Sequence, residues 1–207
     1  MEVYTNENDQ VDAIKRFFAN NGVALVIGLV IGVGGVFGWN YWQSHKTNVL
    51  QESAQKFETV NAQLRSGSDQ AIAAAQKFAA ETDDVYSAMM GLELAQIAVD
   101  KGDLANAQTA LTNALAKAKT VDMQDLINLR LARVQLAQGN ADGAIASVAN
   151  IKSKSWQATA QDVRGDALLH KGDKAGAKAA YTQGLESEGS QSIRGILTLK
   201  LNNVSNS

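Results

Sequence analysis

Cysteine and proline are absent from the chain, and histidine occurs only twice. Without cysteine there are no disulfides, no thiol nucleophile and no thiolate metal site; that usage fits an exported domain without requiring one. Without proline, no helix or repeat is closed by the residue that commonly follows a helix end. Aromatic residues make up 6% of the chain against 45% hydrophobic residues overall, so the apolar content is largely Ala, Leu, Val and Ile. Such a mix suits helices that pack closely through small side chains. An excess of either sign of charge is missing too: 19 basic against 21 acidic side chains leave a formal net charge of −2, without the basic surface that general nucleic-acid binding needs. Catalytic signatures are lacking as well. His45 stands beside the apolar run described next, His170 has no nucleophile at a recognisable spacing, and neither a glycine-rich phosphate loop nor a serine elbow occurs. The chain reads as a non-enzyme with no cofactor.

What is present begins with a stretch that carries no charge, from Gly22 to Tyr41, in which Asn40 is the one clearly polar side chain. At about 1.5 Å per residue such a run covers roughly 30 Å, the hydrocarbon thickness of a bilayer. A helix satisfies its own backbone in lipid, so a single transmembrane helix over 22–42 is expected. Phe17 and Phe18 before it, and Trp39, Tyr41 and Trp42 at its far end, sit where interfacial rings sit. A cleaved signal peptide fits poorly. Glu2, Glu7, Asp9 and Asp12 outnumber Lys15 and Arg16 ahead of the run, and Trp39-Asn-Tyr-Trp42 is no small-x-small cleavage site.

Residues 1–21 form a short polar tail. Val11, Ile14, Phe17 and Phe18 share a helical face, which predicts a juxtamembrane amphipathic helix or, equally, an extension of the membrane helix. Within the span, Gly28, Gly32 and Gly35 share one face and Gly34 pairs with Gly38, a spacing that lets a neighbouring helix approach closely, although glycine is common in membrane helices anyway. Lys15 and Arg16 on one side nearly balance Lys46 and Lys56 on the other, so charge does not set the topology.

The remainder, 43–207, repeats. Asp100-Lys-Gly-Asp-Leu-Ala-Asn-Ala-Gln-Thr-Ala-Leu111, Ala137-Gln-Gly-Asn-Ala-Asp-Gly-Ala-Ile-Ala-Ser-Val148 and His170-Lys-Gly-Asp-Lys-Ala-Gly-Ala-Lys-Ala-Ala-Tyr181 share one pattern. Each has Gly followed by Asp or Asn, an Ala five residues after the Gly, and an apolar residue four further on. A small residue stands seven positions before each Gly: Ala95, Ala132 and Gly165. A degenerate copy has Gly67, Ile72 and Gln76, and successive glycines are 35, 37 and 33 residues apart. Glycine in a left-handed conformation ends one helix, and Asp or Asn caps the next. The period is that of tetratricopeptide repeats, near 34 residues. The expected fold is all-α: a transmembrane helix, then a tetratricopeptide-like α-solenoid of about four helical hairpins. Ser190 to Val204 supplies a terminal capping helix with Ile193, Ile196, Leu197, Leu201 and Val204 on one face. The repeats depart from the usual pattern in lacking proline and in placing Arg164 at a customary Leu position.

First helices of stacked hairpins line a concave surface. Taking the glycines as reference, its candidate partner-binding residues are Met89, Leu92, Gln96 and Val99, then Leu126, Leu129, Arg133 and Leu136, then Thr159, Asp162, Asp166, Leu169 and His170. Leu and Met suit an apolar peptide or helix, though several of these positions are equally ordinary core. Asp162, Asp166 and His170, four residues apart, present the outline of a metal site, against the plainer reading of groove polarity neutralised by Arg133. Arg130 and Arg133 suit a carboxylate, against the plainer reading of a solvated face. Trp156 is expected to pack between repeats.

An acidic tail, Asn6-Glu-Asn-Asp-Gln10, precedes Lys15-Arg-Phe-Phe18, a glycine-rich anchor ending Gly38-Trp-Asn-Tyr-Trp42, and repeats that carry Ile127-Asn-Leu-Arg-Leu-Ala-Arg-Val134 and Arg164-Gly-Asp-Ala-Leu-Leu169. Together these resemble the YfgM family of bacterial inner-membrane proteins, ancillary subunits of the SecYEG translocon. The resemblance implies a cytoplasmic N-terminus and a periplasmic repeat domain. It further implies association with SecYEG and with the periplasmic chaperone PpiD, a role in passing exported polypeptides to folding helpers, and no catalytic residues; a cytoplasmic regulatory role for the tail has also been proposed for the family. Two other functions compete: an adaptor of another envelope complex, and a cytosolic-facing co-chaperone if the domain lies inside.

Overall fold

The computed structural model describes residues 7–206, with side chains from Gln10 to Asn206. The start of the acidic tail therefore lies outside the described residues. Among the described residues every element is a helix. They are α1 (Glu7–Leu64), α2 (Asp69–Glu81), α3 (Val85–Asp100), α4 (Leu104–Lys117), α5 (Val121–Ala137), α6 (Ala141–Ala149), α7 (Lys154–His170), α8 (Lys174–Glu186) and α9 (Gln191–Ser205). The chain forms two units, one up to Glu52 and one from Ser53 to the C-terminus.

α1 begins in the first unit and is one helix of 58 residues, so the juxtamembrane residues described run into the span as its extension, and the expected boundaries at 21/22 and 42/43 both fall inside it. Nothing in 7–64 stops it: no proline, and glycines only within the apolar run, where a helix is the one way to satisfy the backbone in lipid. That run is the one candidate membrane span among the described residues, and none of its most apolar window is buried. Val23 (77% exposed) and Phe37 (71%) have no protein core to enter, which removes a buried core helix as an explanation. At its far end the Trp39 and Trp42 rings lie 5.4 Å apart, with the Lys46 ammonium 3.6 Å from the Trp42 ring centre, an aromatic and cationic collar of the interfacial kind.

The second unit is a stack of hairpins. Gly67, Gly102, Gly139 and Gly172 all have positive φ (65°, 75°, 80° and 80°), and no non-glycine residue among those described does. At the last three, the N–H two residues beyond the C-cap reaches back to complete a Schellman motif: Asp103 to Ala98 O (2.8 Å), Asn140 to Gln135 O (2.8 Å), Asp173 to Leu168 O (2.9 Å). The same residues then cap the next helix, accepting from Asn106, Gly143 and Gly176 N–H through Asp103, Asn140 and Asp173. The alanines five residues on, Ala107, Ala144 and Ala177, are fully buried, followed by Leu111, Val148 and Tyr181. The repeat read in the sequence is the repeat that folds.

The degenerate copy differs in register. Its buried residues are Ala71, Ala75 and Phe78, so Ile72 is partly buried and Gln76 is exposed. Its turn closes differently: Ser68 N–H goes to Ser66 Oγ (3.4 Å) rather than back to a helix carbonyl, and α2 shows its next face to the core. The first helix of this hairpin is the end of α1, whose Phe57 and Leu64 cluster with Ala75, Phe78 and Met90. Trp156, as expected, is partly buried against the cluster that Ala132, Ala144 and Ala167 share.

One connection is held from outside its own segment. The N-cap of α7, Ser153, makes no side-chain cap bond. Instead the buried carboxylate of Asp125 on α5 accepts from Lys152 N–H (3.0 Å) and Ser153 N–H (2.8 Å). Burial pushes the Asp125 carboxyl up, and the donors at Ser153 and Lys152 outweigh it, so the group ends below the ordinary carboxylate range. A depressed carboxylate stabilises fully above its unfolded value, near pH 3.9, and that stability is lost as pH falls through the lower folded value. Asp125→Asn, which turns one acceptor into a donor facing N–H groups, should cost about 1–2 kcal/mol at neutral pH. Urea melts at pH 7 and pH 3 should show the wild-type advantage shrinking in acid; an undiminished gap would rule the account out.

Candidate functional site: a slot between the third and fifth helices

α3 and α5 are the first helices of successive hairpins, and the residues between them form a slot of ≈ 300 Å³. Its floor is apolar, from Leu92 on α3, Leu104 and Leu111 on α4, and Val134 on α5. These side chains face the slot because the small residues at the hairpin crossing, Ala95 with Ala107, draw α4 in beneath α3. Val99 stands at the lip, 43% exposed. Gln96 from α3 and Arg130 and Arg133 from α5 form the polar rim, all exposed.

Four of the thirteen residues nominated from sequence therefore meet here: Leu92, Gln96, Val99 and Arg133. The others are placed elsewhere. Leu129 faces away from the slot, into the core shared by α5, α6 and α7. Leu126 packs partly buried against the α3–α5 core, Met89 against Phe57 and Phe78, and Leu169 against the cluster around Tyr181 and Leu197. His170 is exposed at the end of α7. The reference glycine gives the right helix face, but inter-helix spacing decides which half of that face is open.

Asp162 and Asp166 carry the largest correction. Lys200 of α9 places its Nζ 2.7 Å from Asp162 Oδ1 and 2.7 Å from Asp166 Oδ2, while Tyr181 donates its hydroxyl to Asp166 Oδ1 at 2.8 Å. The cation between the aspartates is this ammonium, neither a metal nor Arg133, and no group of acidic, histidine or cysteine side chains among the described residues could hold a metal ion. Burial works against the charged Lys200, but its bonds to Asp162 and Asp166 win and raise its pKa. Burial first, then Asp166, pushes the Tyr181 phenol far up, so it stays a donor. The pair belongs to the docking of the capping helix.

A larger cavity of ≈ 720 Å³ lies on the other side of α3, between α2 and α4, with Ser87 at its base. Its lining mixes alanines with Gln76, Asn106 and Asn113 and carries both signs of charge, Asp69 and Asp103 with Lys101 and Lys117. In the span, a Cβ added at Gly28, Gly32, Gly34, Gly35 or Gly38 would meet nothing within 4 Å, so these glycines serve no contact inside the chain.

Comparison with known proteins accords with this architecture. A family profile described as a tetratricopeptide repeat-like domain matches residues 15–206, a span that takes in the apolar run as well as every hairpin. The ancillary SecYEG translocon subunit of Escherichia coli (strain K12) is 43% identical over 99% of this chain and 100% of its own length. The proteins of the same name from Aggregatibacter actinomycetemcomitans and Haemophilus influenzae are 32% and 29% identical, over 97% and 96% of this chain and 99% and 97% of their own. With one long apolar helix, four glycine-turned hairpins and near end-to-end similarity to these relatives, the chain belongs to the tetratricopeptide-like family of ancillary SecYEG translocon subunits.

Proposed function

We propose that this protein is a non-enzymatic ancillary subunit of the SecYEG translocon, anchored in the bacterial inner membrane by its single span. Its N-terminus lies in the cytoplasm and its hairpin domain in the periplasm, where it links export to chaperones, PpiD among them, and meets emerging polypeptides. The observation that carries this reading is the 43% identity along the whole chain to a protein named for that role. The fold supports it physically, since a hairpin stack offers side-chain recognition along its helices rather than a reactive centre. The candidate groove residues keep a partner-docking role where they line the slot, Leu92 in its floor, Val99 at its lip, and Gln96 and Arg133 at its rim. The glycine face of the span, Gly28, Gly32 and Gly35, together with Gly34 and Gly38, is the docking face toward a neighbouring membrane helix.

Copurification from membranes in mild detergent tests this. The wild-type chain should bring down the translocon and PpiD, and Gly32→Leu should weaken the yield; a wild-type chain that retains neither would remove the reading. A reporter fused after Asn203 tests orientation. A periplasm-only reporter should be active there, and activity of a cytoplasm-only one would favour the inverted co-chaperone instead.

A further inference from the structure

The slot between α3 and α5 has a charge character that the fold itself leaves unanswered. Arg130 and Arg133 are three residues apart on one helix, so their side chains stand on one face. Among the described residues neither guanidinium has an ion-pair or hydrogen-bond partner, and no carboxylate lines the slot. Like charges one turn apart disfavour each other, and an anion between them relieves that. A guanidinium is a rigid fork of donors matched to a carboxylate, and it loses little freedom on pairing. Immediately below the two forks lies the floor of Leu92, Leu104, Leu111 and Val134, with Val99 open at the lip. Charge and apolar surface are therefore side by side in a volume of ≈ 300 Å³, at the small end of ligand pockets (about 300–1,000 Å³) and scaled to side chains. A cationic segment would be repelled at the rim, and a purely apolar one would leave both forks unpaired.

We infer that this slot takes an acidic, apolar polypeptide segment of a partner, one that seats a large apolar side chain on the leucine floor and gives carboxylates to Arg130 and Arg133. The inference rests on the scaffold reading above and names the chemistry of what the scaffold holds. Gln96 across the slot is placed to bond the backbone of the seated segment.

The test uses the full chain in phosphatidylcholine nanodiscs and a fluorescein-labelled peptide of repeated Leu-Glu pairs, followed by anisotropy. The acidic peptide should bind, its Leu-Lys counterpart should not, and binding should weaken with added salt. Arg130→Glu with Arg133→Glu should lower the affinity by roughly tenfold or more, the double Arg→Lys change by less, because charge is kept while the fork is lost. Arg164→Glu, on the exposed surface of α7, should change nothing. Circular dichroism should show the reversed variant folded, since both arginines are exposed and unpaired. Equal binding of the two peptides, or an affinity indifferent to the reversal, overturns the assignment. So does arginine-dependent binding to phosphatidylglycerol nanodiscs that the acidic peptide fails to displace, which would make lipid the anion. If the assignment fails while the wild-type chain still copurifies with the translocon, only the slot's occupant is wrong.

Discussion

Lys200→Met should destabilise the hairpin domain by about 3 kcal/mol and free the capping helix before the rest unfolds. The cost follows from what stays behind. Asp162, 9% exposed at its side chain, and Asp166, 34% exposed, share this one ammonium. Breaking a buried ion pair from one side costs about 3–5 kcal/mol, and the partial exposure of Asp166 places this case at the lower end. Methionine keeps the apolar stem of Lys200 against the stack, so the loss reports charge. Two measurements separate this from a general packing defect. Adding Asp162→Asn and Asp166→Asn to Lys200→Met should restore much of the lost stability, because neutral groups no longer need the cation. Hydrogen exchange should rise in α9 and the facing turns of α7 well before α3 or α5, as expected of a stack whose units touch only their neighbours. The pH dependence has a definite sign. The folded pKa of Lys200 is raised, so its contribution is complete below the unfolded lysine value, near 10.4, and disappears as pH rises through the folded one. Wild type and Lys200→Met should therefore converge at strongly alkaline pH and not in mild acid. Exchange that rises uniformly through the domain would defeat the account.

The contrast between Lys200 and the glycine turns explains which features were legible. A left-handed glycine followed by an Asp or Asn cap is decided by residues adjacent in the chain, so Gly102, Gly139 and Gly172 announced their hairpins, and the buried Ala107, Ala144 and Ala177 followed at fixed offsets. Lys200 pairs across 38 residues with Asp162, and nothing local marks it. Asp125 is similar: alone it reads as a surface acid of α5, and its meaning comes from the N–H groups of a loop 27 and 28 residues away. The slot lies between these cases. Helix periodicity put Leu92, Gln96, Leu129 and Arg133 on one kind of face. Leu129 is core and Leu92 is floor because α7 closes over one side of α5 while the gap toward α3 stays open. The continuity of α1 was readable in principle, since residues 43–64 contain neither proline nor glycine. The apolar run ends near Tyr41, but a change of hydropathy alone does not end a helix.

Gly165→Ala should be the most damaging single-methyl change in the repeats, also about 3 kcal/mol, at the upper end of what overpacking a core costs. Position 165 is the small-residue site of the last hairpin, equivalent to Ala95 and Ala132, yet here alanine itself is excluded. A Cβ built on Gly165 would lie 2.5 Å from Cδ1 and 2.7 Å from Cζ of Tyr181, and closer still to Cε1. The apolar position after the buried alanine is Leu111 or Val148 in the preceding hairpins, and here it is a fully buried tyrosine. A larger ring on α8 thus requires a smaller residue on α7, and the two positions are one packing decision. The ring has little freedom to yield, because its hydroxyl is bonded to Asp166 and the Lys200 ammonium stands 5.9 Å from its centre. A double-mutant cycle makes this quantitative. Tyr181→Leu alone loses ring burial and the bond to Asp166, and Gly165→Ala alone creates the clash. Combined, they should recreate the Ala–Leu pairing of α3 and α4 and cost at least 1 kcal/mol less than the sum of the single changes, well outside the scatter of independent sites. Strict additivity in urea melts would mean that Gly165 is needed for its backbone freedom rather than for the space it leaves, and its ordinary helical position inside α7 argues against that.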